Sequence, residues 1–462
     1  MFVYGCMSLG TGSISWEKLV SFLGLRNFSS TTFIRYAKYI TECAKGVART
    51  TMKQIHEVIR ENSEKSDGGW TDVAVSFDGT WHRRGHRSNL GVGAVIESET
   101  GHVIDYYVMS KICDQCNAKR NLMEKDKISQ AEYVEWMDTH LDTDCEQNYE
   151  GSSGGMEAKS AVKMWGRSKD YKLRYVIMIS DGDSSSYASL RAMNGGTGPY
   201  GTECQVEKLE CVNHVSKRFG FNAREGKRKF VEEDEPKETL PPKKKRKLSL
   251  GGRGKLTEVV INHLQYYFSV SMKRMIGTSA EAMRNEILSS YFHCSSTDDN
   301  PQHHLCTKGK NSWCFYNRAL ANNEVPPSHD TVKIHFKLGK QELAFLKQIY
   351  ERLTSDDLMK KCLKGLTQNS NESLHHRIWN LCPKHQRANK RMVDFAVATA
   401  VARYKIGYLA SSSSLFECFG IEVTTAVSKH LKKLDRLMDS PIRRKTRIQN
   451  LKRDMEYAAG GF

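Results

Sequence analysis

Residues 73–81 read Val-Ala-Val-Ser-Phe-Asp-Gly-Thr-Trp, and residues 174–183 read Arg-Tyr-Val-Ile-Met-Ile-Ser-Asp-Gly-Asp. Each stretch begins with an apolar run of strand length that ends in an aspartate, Asp78 in the first and Asp181 in the second, and the second run is typical of a strand covered on both faces. Two more apolar runs, 90–96 and 103–109, are joined by a link of hairpin length that contains a glycine. A helix is predicted over 156–165. Three antiparallel strands, a helix and a buried strand are the opening of a ribonuclease-H-like α/β fold, and other α/β folds share parts of this order.

Asp78 and Asp181 directly follow the first and the last of these strands. Ligands bind at the carboxyl ends of strands in an open α/β sheet, and two carboxylates that repel each other there are stabilised by a divalent metal. Each aspartate alone is better explained as an ordinary turn residue. Asp183 is the alternative to Asp181 as the second metal ligand, and we prefer Asp181 because it directly follows the strand. A third carboxylate, Glu372, begins a predicted helix, where it could also form a capping box with Asn369.

The chain is strongly basic. It has 462 residues, with 70 Lys+Arg against 53 Asp+Glu and a net charge of +17. This balance indicates a polyanionic partner, with nucleic acid first and an anionic membrane second. No run of about 18 apolar residues exists, which argues against a membrane span, and residues 1–12 lack the features of a secretory signal. Thirteen cysteines in such a chain favour metal binding over disulfides.

Two regions combine cysteines and histidines. A Cys-x2-Cys pair and a His-x4-Cys pair have the spacing of a structural Cys3His zinc site, and free loop cysteines are the alternative. In the second region, two cysteines with two of three histidines could form another zinc site, and Cys294 is a spare candidate. The first predicted ligand set is Cys113, Cys116, His140 and Cys145, and the second is His293, His304, Cys306 and Cys314.

A basic run lies within a polar segment that is predicted to be disordered. Residues 242–247 read Pro-Lys-Lys-Lys-Arg-Lys and resemble a monopartite nuclear import signal. The predicted receptor contacts are Lys243, Lys244, Lys245, Arg246 and Lys247. A nonspecific phosphate-binding arm is the alternative, and both interpretations place the protein beside DNA in the nucleus.

Four sequence blocks, in this order, resemble those of the Mutator-like transposases. Phe77-Asp78-Gly79-Thr80-Trp81 and Ser180-Asp181-Gly182-Asp183 match the two Asp blocks of the family's Asp-Asp-Glu triad, and Asn371-Glu372-Ser373-Leu374 matches its Glu block. Cys211-Val212-Asn213-His214 matches the family's Cys-x-x-His element. The resemblance covers about residues 10 to 425, although the zinc module often found near the N-terminus of such transposases is not visible.

The resemblance implies a ribonuclease-H-like core in which Asp78, Asp181 and Glu372 bind Mg²⁺ or Mn²⁺. Cys211 and His214 would shape the edge of the active site without forming a full metal site. The implied activity is cleavage and strand transfer of double-stranded DNA at transposon terminal repeats and target sites, by analogy as a homodimer. A domesticated nuclear DNA-binding protein without cleavage activity is the alternative. A zinc-stabilised nuclear interaction protein is a weaker third class.

The predicted organisation follows from these motifs. It comprises a helical N-terminal segment (1–65), the first part of the core (66–223) with a zinc-binding excursion (110–155), a disordered basic loop (224–255), a mostly helical insertion with the second Cys/His cluster (256–355), the rest of the core with Glu372 (356–425) and a basic helical tail (426–462).

Overall fold

A computed structural model describes residues 1–66, 68–83, 87–182, 185–229, 249–252, 255–331 and 338–438. The chain divides into two units: the first holds Met1–Lys208 and Gln368–Asp439, and the second holds Leu209–Thr367. The import signal predicted at 242–247 and the competing ligand Asp183 lie outside the described residues. Within the described ranges, no helix is both long and apolar enough to cross a bilayer.

The first unit contains helices and a mixed sheet. Its helices are α1 (Phe2–Ser8), α2 (Ser13–Phe22), α3 (Ser30–Asn62), α4 (Asp114–Glu124), α5 (Gln130–Thr143), α6 (Gly155–Arg167), α7 (Ser185–Arg191), α8 (Met193–Gly196), α15 (Asn369–Leu381), α16 (Lys390–Cys418) and α17 (Thr425–Met438). Its strands are β1 (Lys65–Ser66), β2 (Trp70–Trp81), β3 (Leu90–Glu97), β4 (Val103–Ser110) and β5 (Leu173–Ser180), and the boundary between the units falls within β6 (Glu207–Glu210).

The sheet order is β4-β3-β2-β5-β6, with β1 paired to β2. The strand β3 runs antiparallel to both β2 and β4, whereas β5 runs parallel to β2. The parallel register pairs Ser76 with Ile179. The predicted α/β class and its opening strand order are therefore present, and the connection that leads to the parallel strand contains α6.

Both faces of the sheet are covered, which explains why all eight residues of β3 are buried. On one face, alternate β3 residues such as Val92 and Ala94 share a core with α3, α15 and α16. On the other face, Val75 and Phe77 of β2 pack with Trp165 of α6. The helix α3 reaches the sheet through apolar residues at helical spacing, including Ile40, Ala44 and Ala48.

The second unit is helical in its described part and has its own core. It contains α9 (Val212–Lys229), α10 (Glu258–Arg274), α11 (Ala280–Ser295), α12 (Phe315–Ala321), α13 (Lys340–Leu353) and α14 (Asp356–Cys362). Phe219, Phe268 and Tyr350 form the aromatic centre of this core.

Two segments differ from the sequence-based expectation. The zinc-binding excursion, expected as a loop with little core, contains the helices α4 and α5. The segment expected to be disordered from residue 224 begins as helix, because α9 continues to Lys229. Val215, Phe219 and Ala223 bury one face of α9, and this packing stabilises a helix whose last turn is highly charged.

Gly93 of β3 allows α6 to lie close to the sheet. A Cβ atom at this position would come within 2.3 Å of the Ser160 Oγ and 2.8 Å of the Ser160 Cβ. Since backbone and Cβ atoms cannot move as freely as the end of a long side chain, the helix itself would have to shift.

We therefore expect Gly93→Ala to lower the free energy of unfolding by about 1–3 kcal/mol, because it overpacks this interface. The matched control is Gly46→Ala in α3, where a Cβ meets nothing within 4 Å. That change should stabilise the protein by about 0.5–1 kcal/mol, because alanine favours a helix interior. Urea denaturation measures both. A Gly93→Ala protein as stable as the Gly46→Ala protein would contradict the close approach.

Candidate functional site

Asp78 and Asp181 lie at corresponding positions of two neighbouring parallel strands. The register that pairs Ser76 with Ile179 leads, two residues further along each strand, to Asp78 and Asp181. The prediction that Asp78 directly follows its strand is wrong, because β2 continues to Trp81 and Asp78 lies within it, opposite Ala94 of β3. Asp181 is the first residue after β5, as predicted. The sheet thus brings the two predicted aspartates to the same edge.

The helix α15, which carries Glu372, is anchored to β2 beside Asp78. The Gln368 side chain donates to the Phe77 carbonyl at 2.8 Å. The buried Asn371 amide donates to the carbonyls of Ser76 and Ala94, at 3.4 and 3.2 Å, and accepts a hydrogen bond from the Ser76 hydroxyl. Further along the helix, the Trp379 indole donates to the Thr80 hydroxyl at 2.9 Å. These contacts fix the helix on both sides of Asp78.

His375 of α15 adjoins Asp78. Its Nδ1 lies 3.6 Å from the Asp78 Oδ2, and its buried Nε2 has no hydrogen-bond partner within the described part of the chain. Burial lowers the pKa of His375 to about 4, with a smaller contribution from Lys384, while Glu372 opposes the shift. The imidazole is therefore neutral near pH 7. Glu372 itself is exposed one turn before His375.

Glu157 is a fourth carboxylate at this edge, and the sequence analysis did not identify it. It lies half-buried in the first turn of α6, and a Cβ on Gly79 would come within 2.9 Å of the Glu157 Cγ. Burial, with the negative charge of Asp181, raises the pKa of Glu157. Acidic residues are common in the first turn of a helix, so Glu157 carried no signal of its own. The sequence signal was Gly79, because a glycine within a strand indicates a close approach.

The carboxylates are near one another without forming a closed ligand group. In the described ranges, the sets of three or more potential ligand atoms that lie within 4.8 Å of one another are two Cys/His clusters. The trio of Asp78, Asp181 and Glu372 is not such a set. Glu372 is exposed on the anchored helix, whereas Asp78 is half-buried within β2.

The first Cys/His cluster contains the four predicted residues Cys113, Cys116, His140 and Cys145. Cys113 caps the N-terminus of α4, and His140 lies in the last turn of α5. The only buried residue of α4 is Cys116, and the only buried residue of α5 is His140. The two helices therefore have almost no apolar core of their own.

The distances in the first cluster fit a tetrahedral zinc site. The sulfur atoms of Cys116 and Cys145 are 3.7 Å apart, and the Cys113 Sγ is 3.3 Å from the His140 Nε2. Zn–S bonds of about 2.3 Å in a tetrahedron place two sulfur atoms about 3.8 Å apart, whereas a disulfide would require about 2.05 Å. Burial and the neighbouring thiols Cys113 and Cys145 raise the pKa of Cys116 to about 12. A bound cation would remove this penalty.

The second cluster differs from its predicted ligand set. It contains His293, His303, Cys306 and Cys314, all buried. His304, the predicted ligand, is exposed and packs against the ring of Phe292, so His303 takes its place.

A family model described as Mutator-like transposase matches residues 1–314 of the chain. The chain belongs to the Mutator-like transposase family. The matched range includes Asp78, Asp181 and the Cys211–His214 element, and it ends before Glu372. No curated protein and no solved structure matches the chain. Membership of the Mutator-like transposases supports a transposase-related function.

The Cys-x-x-His element of this family lies in the second unit. Cys211 is buried immediately before α9, and its carbonyl accepts hydrogen bonds from the amides of His214 and Val215 at 3.0 and 3.1 Å. His214 is half-buried in the first turn of the helix. The role predicted for this pair at the active-site edge stays a prediction.

The anchoring contacts of α15 make a separate prediction. Asn371→Ala removes the partner of the Ser76 hydroxyl and two amide hydrogen bonds to β2 and β3, so buried polar groups are left unsatisfied at about 1–3 kcal/mol each. We expect a loss of at least about 2 kcal/mol in the free energy of unfolding. Asn380→Ala, which changes an exposed residue of the same helix, should cost less than about 1 kcal/mol. Equal stability of the two variants would contradict the anchor.

Proposed function

We propose that the chain is a DDE-type DNA transposase with a ribonuclease-H-like core that cleaves and joins DNA at transposon ends. The observation that carries this proposal is the parallel register of β2 and β5, which leads to Asp78 and Asp181 at one sheet edge. The anchored helix α15, which carries Glu372, and the family match add to it. The ribonuclease-H-like assignment rests on the strand order, with three antiparallel strands followed by a helix and a parallel strand.

The donor set at this edge suits a hard divalent cation. Asp78, Asp181 and Glu372 offer only oxygen ligands, which Mg²⁺ and Mn²⁺ prefer. Glu157 adds a fourth carboxylate, whose pKa is raised by burial and, to a smaller extent, by the negative charge of Asp181. A cation held here would stabilise the charge on the attacking and leaving oxygens of a phosphodiester.

The protein residues then act by position and charge. Asp78 and Asp181 are fixed by the sheet, and α15 presents Glu372 toward solvent, where a DNA strand can approach. In the proposed reaction, water attacks the phosphodiester during cleavage, and the 3′-hydroxyl attacks target DNA during joining. Neither step requires a covalent link to a serine or tyrosine of the protein.

A basic cavity beside β2 supports DNA as the partner. It has a volume of about 340 Å³ and is lined by His82, Arg83, Arg87 and Arg387, among others. Arg83 and Arg87 are exposed, and Arg387 reaches Asp114 at 3.1 Å. Guanidinium groups bind phosphate oxygens well, so this cavity suits the DNA backbone.

The remaining proposals concern location, assembly and zinc. The basic run Lys243–Lys247 supports nuclear import through a receptor, and the need to pair two DNA ends supports a homodimer.

A structural zinc ion in the first cluster would link α4 to α5. The distances of the cluster and the absence of other buried residues in these helices support it.

A domesticated DNA-binding protein without cleavage activity is the second candidate. Retention of Asp78, Asp181 and Glu372 favours the active enzyme, because a protein that only binds DNA has no use for metal-binding carboxylates beside phosphates. The third hypothesis, a zinc-stabilised interaction protein without DNA affinity, is disfavoured by the arginines around the cavity.

The carboxylates provide the test of the proposed activity. Asp78→Asn, Asp181→Asn and Glu372→Gln preserve volume but remove the charge that would hold a metal. We expect each to reduce Mg²⁺-dependent cleavage of duplexes carrying the flanking repeats by at least about 100-fold, since a metal contributes several kcal/mol to the transition state. DNA binding without metal should persist, because it depends on lysine and arginine.

The matched controls for this test are Glu135→Gln and Asp138→Asn on α5, where both side chains are exposed. They should cleave like the wild type. Loss of cleavage in Asp183→Asn but not in Asp181→Asn would reassign the second ligand. If the wild type binds the repeats but never cleaves them, the domesticated binder is the correct function.

Zinc analysis tests the first cluster. We expect Cys116→Ser to lower the zinc content by one ion per chain, because three ligands do not close a structural site. Cys204→Ser, which changes a half-buried cysteine outside both clusters, should leave it unchanged. Elemental analysis after gentle purification measures this. Equal zinc in the Cys116→Ser protein and the wild type would refute the site.

A further inference from the structure

The second cluster lies at the junction of two helices and a long loop. His293 is in the last turn of α11, and Cys314 caps the N-terminus of α12. Between these helices, residues 296–314 contain no helix or strand, and they carry His303 and Cys306. A loop of this length without secondary structure is uncommon in a packed unit, so something besides backbone hydrogen bonding must hold it.

The ligand atoms of this cluster have the separations of a tetrahedral site. The Nδ1 atom of His293 lies 3.6 Å from the Cys306 Sγ, and the Nδ1 atom of His303 lies 3.5 Å from the Cys314 Sγ. Zn–S bonds of about 2.3 Å and Zn–N bonds of about 2.05 Å give sulfur–nitrogen separations of about 3.6 Å. All four residues are buried, and both histidines present Nδ1 to the thiols.

A chain of hydrogen bonds extends from the other side of His303 to the surface. The His303 Nε2 lies 3.0 Å from the Ser296 Oγ, and the Ser296 Oγ lies 2.9 Å from the His329 Nε2. The His329 Nδ1 in turn contacts the Asp298 Oδ1 at 2.5 Å. Ser296, His303 and His329 are buried, whereas the Asp298 side chain is 53% exposed.

The Asp298 carboxylate, at the outer end, determines which atom donates and which accepts in each of these hydrogen bonds. Asp298 accepts a hydrogen bond from the His329 Nδ1–H, which leaves the His329 Nε2 as an acceptor for the Ser296 hydroxyl. The Ser296 oxygen then accepts from the Gln302 amide, at 2.8 Å, and the His303 Nε2–H is shared between the Ser296 oxygen and the His329 Nε2, each 3.0 Å away. His303 is thereby held in the tautomer whose Nδ1 lone pair faces the thiols.

The same contacts argue against a nucleophilic role for Ser296. Serine, histidine and aspartate are arranged here as in a hydrolytic triad, but the Ser296 oxygen is fully buried and already accepts two hydrogen bonds. A substrate could reach it only if the loop opened. The arrangement instead matches the outer hydrogen bonds that orient metal-binding histidines.

We propose that His293, His303, Cys306 and Cys314 form a second zinc site, in which Asp298, His329 and Ser296 hold His303 in its metal-binding tautomer. The site serves as the core of the 296–314 loop. Asp298, His329 and Ser296 are positioning residues, because they act through hydrogen bonds to one another and to the His303 Nε2, which the His329 Nε2 also contacts directly at 3.0 Å. This proposal does not depend on DNA cleavage.

Zinc titration of the full-length protein against a competing chelator tests the site and the hydrogen-bond chain separately. The wild type should bind two zinc ions per chain, and Cys314→Ser should bind one. Ser296→Ala should weaken zinc binding at this site by about 10–100-fold, the usual effect of removing an outer hydrogen-bond partner. Ser296→Thr, which keeps the hydroxyl, should restore it.

Two matched controls separate the hydrogen-bond chain from packing. Ser295→Ala changes the neighbouring buried serine, whose hydroxyl donates to the Phe292 carbonyl. Asp299→Ala changes the exposed neighbour of Asp298. Both should leave zinc affinity unchanged, while Asp298→Ala, at an exposed position that cannot collapse the core, should lower it several-fold.

The outcomes are distinct. A wild type with no more zinc than Cys314→Ser would overturn the second site. The hydrogen-bond chain alone would be overturned if the wild type bound two zinc ions and two pairs of variants had equal zinc affinity. These pairs are Ser296→Ala with Ser295→Ala, and Asp298→Ala with Asp299→Ala.

Discussion

The buried amide of Asn371 is the contact on which the candidate active site depends. It joins α15 to the backbones of β2 and β3 at Ser76 and Ala94, beside Asp78. The helix belongs to a part of the chain that returns to the first unit only after the whole second unit. Because buried amides and carbonyls are costly to leave unpaired, this contact gives the returning chain one position on the sheet. Glu372, the next residue, is placed by it.

Much of the fold could be predicted from the sequence. The apolar runs that end in Asp78 and Asp181 are found as the parallel strands β2 and β5, since strand order and hydrophobic pattern are local signals. Which side chains meet across the fold is not local. Spacing could not distinguish His303 from His304, and only the packing of the loop buries one of them and exposes the other. Glu157 was missed because its proximity to Asp181 depends on where α6 lies against Gly79.

Cys/His clusters form part of the buried interior in two parts of the chain. The helices α4 and α5 each bury a single residue, and both of these residues belong to the first cluster. The loop 296–314 has no secondary structure and surrounds the second cluster. The residues predicted for the two zinc sites are thus grouped into two clusters of four, with His303 in place of the predicted His304. If these clusters bind a metal, the segments gain part of their stability from ligand bonds, and their order then depends on metal supply.

The central claim is that Asp78 and Asp181 hold a divalent metal together. The most direct measurement is anomalous X-ray diffraction from crystals of the full-length protein grown with Mn²⁺, recorded near the manganese absorption edge. The account predicts an anomalous peak within about 2.0–2.3 Å of oxygen atoms from both aspartates, as in other carboxylate sites for small divalent cations. A well-ordered sheet edge with no such peak between Asp78 and Asp181 at saturating Mn²⁺ would contradict it.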